Sequence, residues 1–307
     1  MKKLRVALLS GGFSAERDIS IKTGEMIVKN LDKDKYQVFL FDPAQDLLKL
    51  FKVISQKKID VVFPALHGPL GEDGTIQGML EVLKIPYVFS GVLASALAMD
   101  KDMTKKILKK EKIPTPKHFV FFKNNHISLK KIKFPCVIKP VVQGSSYGVS
   151  IVSGPGQLKK AIKKAFEFDS RVMIEDFIEG KEITAAVLGN KKIKAFPLIE
   201  IRPKISSFFD YKAKYEIGGS EEICPAPISP QLTKRIQDLA ARTHLALGCR
   251  GVTRTDFILH GSQPFVLEIN TIPGMTRTSL VPQAAAKAGI GFPGLLDKLI
   301  ELAMENA

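Results

Sequence analysis

The sequence predicts an α/β and α+β protein, in which a lobe with a doubly wound parallel sheet precedes two further lobes. Strand-length apolar runs alternate with helical patterns over residues 1–95, which is typical of a parallel sheet. Beyond that point the alternation gives way to hairpin turns and adjacent strands. A chain of 307 residues is also long for one compact core, so two or three lobes are expected.

The first lobe, residues 1–95, contains four apolar runs and two helical patterns. In chain order these predict strand Leu4–Leu9, a helix from about Ser14 to Leu31, strands Tyr36–Phe41 and Ile59–Leu66, a helix from about Thr75 to Leu83, and strand Tyr87–Phe89. The first run is short, and no small-residue cleavage site follows Gly11-Gly12. We therefore interpret it as a strand rather than as a signal peptide.

The second lobe, residues 96–180, has a smaller α+β pattern. A helix over Ala94–Lys112 leads into it and ends before Pro114-Thr115-Pro116, because proline cannot continue a helix. The elements that follow are strands His118–Phe122, Pro135–Pro140 and Val149–Val152, helix Gln157–Phe168 and strand Val172–Phe177.

The third lobe, residues 181–307, begins with a hairpin that turns at Gly189-Asn190. Its elements are strands Ile183–Leu188 and Ile193–Ile199, helix Leu232–Leu247, strands Val252–Leu259 and Pro264–Ile269, and two helices from about Leu280 and Leu295. The polar stretch Ser206–Glu222 has little periodicity. Because long loops without regular structure are often lids over functional sites, we predict a mobile lid there.

Composition excludes several classes of protein. No apolar stretch approaches the roughly 20 residues that a membrane-spanning helix needs. Cys136, Cys224 and Cys249 are odd in number and far apart, so neither a disulfide framework nor a zinc site is indicated. These features together favour a cytoplasmic protein.

A net charge of +15 raises the alternative of a basic nucleic-acid-binding module. However, the lysines occur in pairs at helical spacing among apolar residues, as in Lys105-Lys106, Lys109-Lys110, Lys159-Lys160 and Lys163-Lys164. This pattern is typical of the solvated face of an amphipathic helix. Stacking aromatic residues do not accompany these pairs, so we favour solvated faces over a nucleic-acid partner.

Four polar residues of the last predicted hairpin indicate a metal site: Arg254, Asp256, Glu268 and Asn270. Carboxylate and amide oxygens suit a hard cation such as Mg²⁺, and the arginine would hold phosphate beside it. A solvated polar face is the alternative, but convergent carboxylates at the mouth of a buried strand favour the metal. For both acids to share a face, the turn must have odd length, for example Gly261-Ser262-Gln263.

Weaker signals surround this cluster. Lys139 ends an apolar strand beside the loop 143–148, whose glycines and serines can wrap phosphate oxygens, although an ordinary turn is as good an interpretation. Lys101 alone is read as a surface lysine. His67 and Glu16 lie at the sheet edge where doubly wound proteins bind ligands. The alternatives are a hydrogen-bonded loop histidine and a partner of the helix dipole.

Taken in order, eight segments resemble the D-alanine–D-alanine ligase family of the ATP-grasp superfamily, and they cover essentially the whole chain. They are Gly11-Gly12-Phe13-Ser14-Ala15-Glu16-Arg17, the run from His67-Gly68 to Gly71-Glu72-Asp73-Gly74, Met99-Asp100-Lys101, Ile138-Lys139-Pro140, Gly144-Ser145-Ser146, Ala213-Lys214-Tyr215, Arg254 with Asp256, and Glu268-Ile269-Asn270 with Pro273-Gly274-Met275.

The resemblance implies that two ATP-grasp lobes sandwich ATP. It implies synthesis of D-alanyl-D-alanine for peptidoglycan, through an acyl phosphate, with release of ADP and phosphate. Two D-alanine molecules, ATP and two Mg²⁺ ions, which Mn²⁺ can replace, are the implied ligands. A homodimer without nucleic-acid or membrane partners is implied as well. Phosphoryl transfer relies on positioning and charge stabilisation, so no nucleophilic side chain is required.

The resemblance also implies a role for each matching residue. The implied first D-alanine site is Glu16 and His67, and the implied second D-alanine site is Ser279 and Leu280. The implied phosphate ligands are Lys101, Lys139 and Lys214, the adenine site is Glu175, Phe177 and Ile178, and the ribose ligand is Glu182. The implied metal ligands are Asp256, Glu268 and Asn270. Stabilisation of the oxyanion is implied for Arg254 and the Gly274 N–H, and closure of the site over Glu16 for Ser145 and Tyr215.

Three positions depart from the family pattern. Thr255 and Tyr147 replace aliphatic residues, and Gln143 lies at a variable position. We expect Thr255 to alter packing behind the metal site and Tyr147 to alter the loop 143–148, here named the serine loop. The nearest alternative function is a ligase with a different acceptor, D-lactate or D-serine. The pair Lys214-Tyr215 favours D-alanine over D-lactate.

Overall fold

A computed structural model describes residues 2–123, 132–204, 218–276 and 278–305. Within these ranges the chain forms thirteen strands and nine helices, arranged as three sheets with helices packed against them. The predicted site residues Lys214 and Tyr215 lie outside the described residues, as does most of the predicted lid. No helix in the described ranges has both the length and the apolar character needed to cross a bilayer.

The first sheet is parallel, as predicted, with strand order β2-β1-β3. Its strands are β1 (Leu4–Leu9), β2 (Tyr36–Phe41) and β3 (Val61–Pro64). The predicted strand Tyr87–Phe89 is reduced to one isolated bridge, between Tyr87 and Val62. A parallel register with central β1 brings the loops that follow β1 and β3 to the same edge of the sheet.

Three helices follow these strands: α1 (Arg17–Asn30), α2 (Pro43–Ser55) and α3 (Thr75–Val82). Helix α2 is absent from the sequence prediction, although its start carries two recognisable signals. The Asp42 side chain accepts a hydrogen bond from the Ala44 N–H, and proline occupies the first helical turn.

The predicted helix Ala94–Lys112 is instead two helices, α4 (Val92–Met99) and α5 (Lys101–Lys110). They are separated by Asp100, whose backbone is extended at φ −83° and ψ 99°. The Asp100 carboxylate accepts a hydrogen bond of 3.0 Å from the Met103 N–H, which caps α5. The break starts a new helix at Lys101.

The second sheet is antiparallel, with strand order β4-β7-β5-β6. Its strands are β4 (His118–Phe122), β5 (Cys136–Pro140), β6 (Ser150–Val152) and β7 (Arg171–Asp176), and helix α6 (Pro155–Ala165) packs on one face. The opposite face is left to border a cavity.

The third sheet has the path β11-β10-β8-β12-β13, and β9 pairs with β8. Its strands are β8 (Lys181–Leu188), β9 (Lys194–Ala195), β10 (Ile199–Pro203), β11 (Ser220–Ile223), β12 (Val252–His260) and β13 (Gln263–Asn270). The predicted strand Ile193–Ile199 is therefore split, and β11 replaces the end of the predicted lid. Helix α7 (Pro230–Ala246) covers one face.

The hairpin of β12 and β13 differs from its prediction in one respect. The register pairs His260 with Gln263, Phe257 with Val266, Asp256 with Glu268 and Arg254 with Asn270. The turn is thus the two residues Gly261-Ser262, and the predicted odd length is wrong. A β-bulge at Leu267 supplies the extra residue, and so Asp256 still lies opposite Glu268.

The chain returns to the first sheet through α8 (Leu280–Lys287) and α9 (Phe292–Met304). One face of the sheet packs on α1 and α9, through a core that includes Val6, Leu8, Phe63, Ile27, Leu295 and Leu299. The other face packs on α2 and α3, through Ala7, Leu9, Val62, Leu50, Ile54 and Leu80. The sheet is therefore covered on both faces, as a doubly wound fold requires.

Candidate active site

Two cavities bring together the predicted site residues of the described ranges. The inter-sheet cavity, between the second and third sheets, is lined by Lys101, Lys139, Glu175, Phe177, Ile178, Glu182, Asp256 and Glu268. The edge cavity, at the edge of the first sheet, is lined by Glu16, His67, Ser145, Arg254, Glu268, Asn270, Gly274, Ser279 and Leu280. Glu268 lines both cavities, so the two spaces meet at this carboxylate.

Glu16 links the first sheet to the serine loop. It is the residue before α1, its side chain is buried, and its carboxylate accepts a hydrogen bond from the Ser145 hydroxyl. Ser145 and Ser146 have φ values of 49° and 59°, in the left-handed region that non-glycine residues uncommonly adopt. A Cβ atom at Gly144 would lie 3.1 Å from a Glu16 carboxylate oxygen, so the loop approaches Glu16 closely.

His67 is buried next to carboxylates at the end of the loop after β3. Its Nδ1 lies 3.8 Å from a Glu72 oxygen, and its Nε2 lies 3.3 Å from the Thr23 hydroxyl. Burial alone would lower the pKa of His67, but the carboxylates of Glu72 and Glu16 raise it above its ordinary value. His67 is thus a buried loop histidine in contact with a hydroxyl and close to a carboxylate.

Lys101 is buried, and so it is not the surface lysine that its isolated motif indicates. Its ammonium donates a hydrogen bond of 2.5 Å to the Gln143 carbonyl oxygen and lies 3.8 Å from a Glu268 oxygen. The bond to Gln143 joins α5 to the serine loop. The charge of Lys101 thus lies where the two cavities meet.

Lys139 and Glu175 lie side by side on β5 and β7. The Lys139 ammonium donates a hydrogen bond of 3.0 Å to one Glu175 oxygen. The other Glu175 oxygen lies 2.6 Å from the ammonium of Lys105, which is fully buried. The prediction that Lys105 lies on a solvated helix face is therefore wrong, whereas its neighbour Lys106 is exposed.

Sequence reasoning missed Lys105, although a signal was present. Lys101, Thr104, Lys105 and Leu108 form a stripe at helical spacing, and all four are buried. Once Lys101 is assigned to a site, this spacing places Lys105 on the same side of α5. The pairing of Lys105 with exposed Lys106 in the sequence hides that relation.

The polar cluster on β12 and β13 has the shared face that was expected. Asp256 accepts hydrogen bonds of 2.9 and 2.8 Å from the Arg254 guanidinium and one of 2.7 Å from the Thr184 hydroxyl. The Asn270 amide lies 3.4 Å from the same carboxylate, and Glu268 lies opposite it. Two acids, an amide and an arginine therefore converge between the cavities.

The start of α8 closes the far side of the edge cavity. Ser279 precedes the helix, and its hydroxyl oxygen accepts a hydrogen bond of 3.0 Å from the Thr276 N–H. A Cβ atom at Gly274 would lie 2.9 Å from this oxygen, so a larger residue could not pack there without a shift. Helix N-termini carry free N–H groups that bind anions, which suits a carboxylate.

The departures from the family pattern have simple structural outcomes. The Tyr147 ring stacks on Phe168 with centroids 5.9 Å apart and lines the inter-sheet cavity. Thr255 faces the core side of β12, and its hydroxyl has no hydrogen-bond partner among the described residues. The backbone carbonyl oxygen of Gln143 accepts a hydrogen bond from the Lys101 ammonium.

The fold and the site define an ATP-grasp ligase, in which two α+β lobes enclose a cavity with lysines on one side and paired carboxylates on the other. Solved structures support this class. A D-alanine–D-alanine ligase from Bacillus anthracis complexed with ATP is 36% identical with a TM-score of 0.87, and the match covers 99% of this chain and 98% of that one. The VanG D-Ala:D-Ser ligase from Enterococcus faecalis is 33% identical with a TM-score of 0.85, covering 98% and 100%.

The family follows from sequence comparisons. The model for the D-ala D-ala ligase N-terminus matches residues 42–90, and that for the C-terminus matches residues 107–301. The D-alanine–D-alanine ligase of Syntrophobacter fumaroxidans is 50% identical over 310 residues, and the match covers 99% of each chain. This chain belongs to the D-alanine–D-alanine ligase family.

Proposed function

We propose that this protein joins two D-alanine molecules to D-alanyl-D-alanine for peptidoglycan synthesis, with conversion of ATP to ADP and phosphate. One observation carries the proposal: the lysine-lined inter-sheet cavity meets the edge cavity at Glu268. A phosphoryl group bound in the first cavity can thus reach a carboxylate bound in the second. The names of the full-length relatives support D-alanine as the substrate.

The first D-alanine binds in the edge cavity. The buried Glu16 carboxylate receives its ammonium group, and Ser145 holds that carboxylate in place. His67 lies in the same cavity, where the Glu72 and Glu16 carboxylates raise its pKa against the effect of burial and so favour the protonated form, which attracts a carboxylate. Ammonium and carboxylate recognition together orient the amino acid for attack on ATP.

ATP binds in the inter-sheet cavity. Lys101 and Lys139 hold its phosphates, and Lys214, which lies outside the described residues, reaches the γ-phosphate. Glu175, Phe177 and Ile178 take the adenine, and Glu182 takes the ribose hydroxyls. The support for these roles is that each described member of the set lines one cavity between two sheets. Lysine is suited to the phosphates because it is a compact point charge.

The polar residues at the open end of the β12–β13 hairpin fit a magnesium site. Within the described ranges no three His, Cys, Asp or Glu side chains converge as a metal-binding group. Mg²⁺ needs fewer protein ligands, because it is usually held by one or two carboxylates together with substrate phosphates. Asp256, Glu268 and Asn270 supply two carboxylates and an amide oxygen on one face. We propose that they hold two Mg²⁺ ions, or Mn²⁺, which neutralise phosphate charge when bound.

The second D-alanine enters next to the first. Its carboxylate meets Ser279 and Leu280 at the start of α8, and its amino group attacks the acyl phosphate of the first D-alanine. Arg254 and the Gly274 N–H stabilise the oxyanion that forms, and phosphate then leaves. Tyr215, outside the described residues, closes the site with Ser145 and Glu16. Closure matters because acyl phosphates hydrolyse in water.

The acceptor, the assembly and the location are further parts of the proposal. VanG, a D-Ala:D-Ser ligase, has the same fold as this chain, so D-serine is the acceptor to compare with D-alanine. Following the family pattern, we propose a cytoplasmic homodimer that binds neither nucleic acid nor membrane. Size-exclusion chromatography with light scattering tests the dimer.

The decisive assay is release of phosphate from ATP with Mg²⁺ and D-alanine, compared with L-alanine, D-serine and D-lactate. We expect D-alanine to support the highest rate and mass spectrometry to detect D-alanyl-D-alanine. Glu268→Gln, which removes one charge from the proposed metal ligands, should abolish turnover without loss of the fold. A higher rate of mixed-product formation with D-serine or D-lactate would overturn the proposed acceptor.

A further inference from the structure

A buried trio of charges lies at one wall of the inter-sheet cavity. Glu175, only 2% exposed, lies between two lysines, with Lys139 Nζ at 3.0 Å from one oxygen and Lys105 Nζ at 2.6 Å from the other. Lys139 lines the cavity, whereas Lys105 does not. Lys105 also donates a hydrogen bond of 2.6 Å to the Thr115 hydroxyl, which in turn donates to the Val266 carbonyl oxygen. Its ammonium is therefore fixed from two sides.

The charges of this trio do not cancel. Burial alone would raise the pKa of Glu175, but the nearby ammonium groups of Lys105 and Lys139 lower it, which keeps the carboxylate ionised. Burial lowers the pKa of Lys105 to about 8, so this lysine is still mainly protonated at pH 7. At that pH two ammonium groups and one carboxylate leave a net charge of +1. Lys139 lines the cavity and Lys105 does not, so Lys139 is the lysine of the trio that can meet an anion bound there.

We propose that Lys105 is a positioning residue for the nucleotide: it holds and neutralises Glu175, so that Lys139 keeps both its place and its charge for the phosphates. Without Lys105, Glu175 and Lys139 would form a neutral pair with little attraction for an anion. The inference rests on the proposed function, because it assumes that Lys139 binds ATP.

The rival explanation is that Lys105 only supports the fold. Removing one partner of a buried ion pair destabilises proteins whatever the site does. A structural role would lower stability without acting specifically through Lys139. The two explanations therefore differ in whether the effects of Lys105 and Lys139 are coupled.

The first experiment compares Lys105→Met with Lys106→Met in the folded enzyme at saturating D-alanine. Lys106 is the matched control, because it is the next residue on the same helix but is exposed and paired with Asp102 at 2.7 Å. We expect Lys105→Met to raise the KM for ATP about tenfold, the size of a lost charge-assisted hydrogen bond, with a smaller change in kcat. Lys106→Met should leave both constants unchanged.

The second experiment is a double-mutant cycle with Lys139→Met, read by the KM for ATP and by calorimetric titration with ADP. If Lys105 acts through Lys139, Lys105→Met should have little further effect once Lys139 is replaced. An equal factor in both backgrounds would overturn the inference. Parent-like nucleotide binding in Lys105→Met would overturn it as well.

A variant that fails to fold does not leave the question open. In that case Lys105→Met/Glu175→Gln, which leaves no unpaired buried carboxylate, is compared with Glu175→Gln. Equal KM values for ATP in the double variant and in Glu175→Gln support the inference. A higher KM for ATP in the double variant than in Glu175→Gln contradicts it. If Lys139→Met itself binds ATP normally, the proposed role of Lys139 fails, which is distinct from failure of Lys105 alone.

Discussion

Arg254 holds one of the proposed metal ligands with two hydrogen bonds, of 2.9 and 2.8 Å, to the Asp256 carboxylate. The same guanidinium lines the edge cavity, where the oxyanion of the proposed reaction would form. A planar group with several donors can serve both positions, whereas a lysine ammonium cannot reproduce the paired geometry. In the proposed reaction, Arg254 would thus couple the proposed metal ligands to the reacting carbonyl group.

We expect Arg254→Ala to lower turnover by roughly two to three orders of magnitude, the size seen when an oxyanion donor is lost. Arg254→Lys should recover only part of the loss, because it restores charge without the paired hydrogen bonds. Steady-state kinetics with varied D-alanine and ATP measure the effect. A change confined to the KM for D-alanine would make Arg254 a residue that binds the ground state.

Thr255 gives a residue-scale prediction about stability. Its buried hydroxyl has no hydrogen-bond partner in the described ranges, and an unsatisfied buried group is costly. Thr255→Val replaces that hydroxyl by a methyl group of the same shape and should raise the free energy of unfolding by about 1 kcal/mol. Urea denaturation measures the change. Thr184→Val is the control. The Thr184 hydroxyl donates a hydrogen bond of 2.7 Å to Asp256, so this variant should gain no stability and should lose activity.

The sequence selects candidate site residues where a motif fixes them, and it misses residues whose burial depends on tertiary structure. Lys101 and Lys139 could be selected because each lies beside a recognisable segment. Lys105 could not, because a lysine pair on a helix normally indicates solvent. Its burial depends on Glu175, which is 70 residues away in the chain and reaches it only through the second sheet.

At the scale of elements, Asp100 controls where α5 begins. Its carboxylate caps the helix at the Met103 N–H and also accepts a hydrogen bond of 2.8 Å from Arg171 on β7. The first residue of the helix is Lys101, and Lys105 follows one turn later. The cap therefore sets the position of two lysines at once.

Asp100→Ala should lower the free energy of unfolding by about 1–2 kcal/mol, as for other lost helix caps, and should also raise the KM for ATP. Ser229→Ala is the matched control, since Ser229 caps α7 at the Leu232 N–H away from both cavities. It should lose stability without any change in ATP binding. Equal effects of the two variants on the KM for ATP would contradict a link between the cap and the site.

Helix α7 has a buried histidine near its end. His244 Nδ1 lies 2.9 Å from the Thr253 hydroxyl and Nε2 lies 3.2 Å from the Gly189 carbonyl oxygen, and burial lowers its pKa from 6.5 to about 4. Between these values the unfolded chain binds a proton that the folded protein does not bind. Acid therefore favours unfolding, and the free energy of unfolding decreases as the pH falls from 6.5 to 4.

The expected loss from His244 is about 3 kcal/mol by pH 4, at 1.36 kcal/mol for each pKa unit. Chemical denaturation at pH 7.5 and 4.5 measures it. His244→Asn, which cannot take up the proton, should show a flatter dependence on pH over this interval. Identical pH dependence of the parent and the variant would assign the acid sensitivity to other groups.

Elements with clear local periodicity were predicted, and those decided by neighbours were not. Strands β1, β2 and β4 have the predicted bounds, because each is a compact apolar run between turn signals. The bulge at Leu267 follows from pairing with β12, which no local pattern reveals. The split of the helix at Asp100 is hidden, because helical spacing continues on both sides of it.

At the scale of the whole molecule, α9 completes the core of the first sheet. Leu299 is fully buried among residues of β1, β3 and α1, although the sequence places it in the third predicted lobe. Chain order alone does not report which elements pack together. The first and last parts of the chain therefore share one core.

Leu299→Ala should lower the free energy of unfolding by about 2–5 kcal/mol, the range for a truncated core leucine. Hydrogen exchange should show weaker protection in β1 and β3 as well as in α9. Leu245→Ala is the control, because that side chain is 55% exposed and its loss should change stability little. Loss of protection confined to α9 would contradict a shared core.

The packing of α9 on β1 has a consequence during synthesis. A ribosome makes Leu4 almost the whole length of the chain before it makes Phe292. At about 5–20 residues per second, the interval is roughly 15–60 seconds. Throughout it, the face of the nascent first sheet that packs on α1 lacks α9, its second covering helix. Those side chains are the ones that a chaperone near the exit tunnel would meet, and release of α9 ends their exposure.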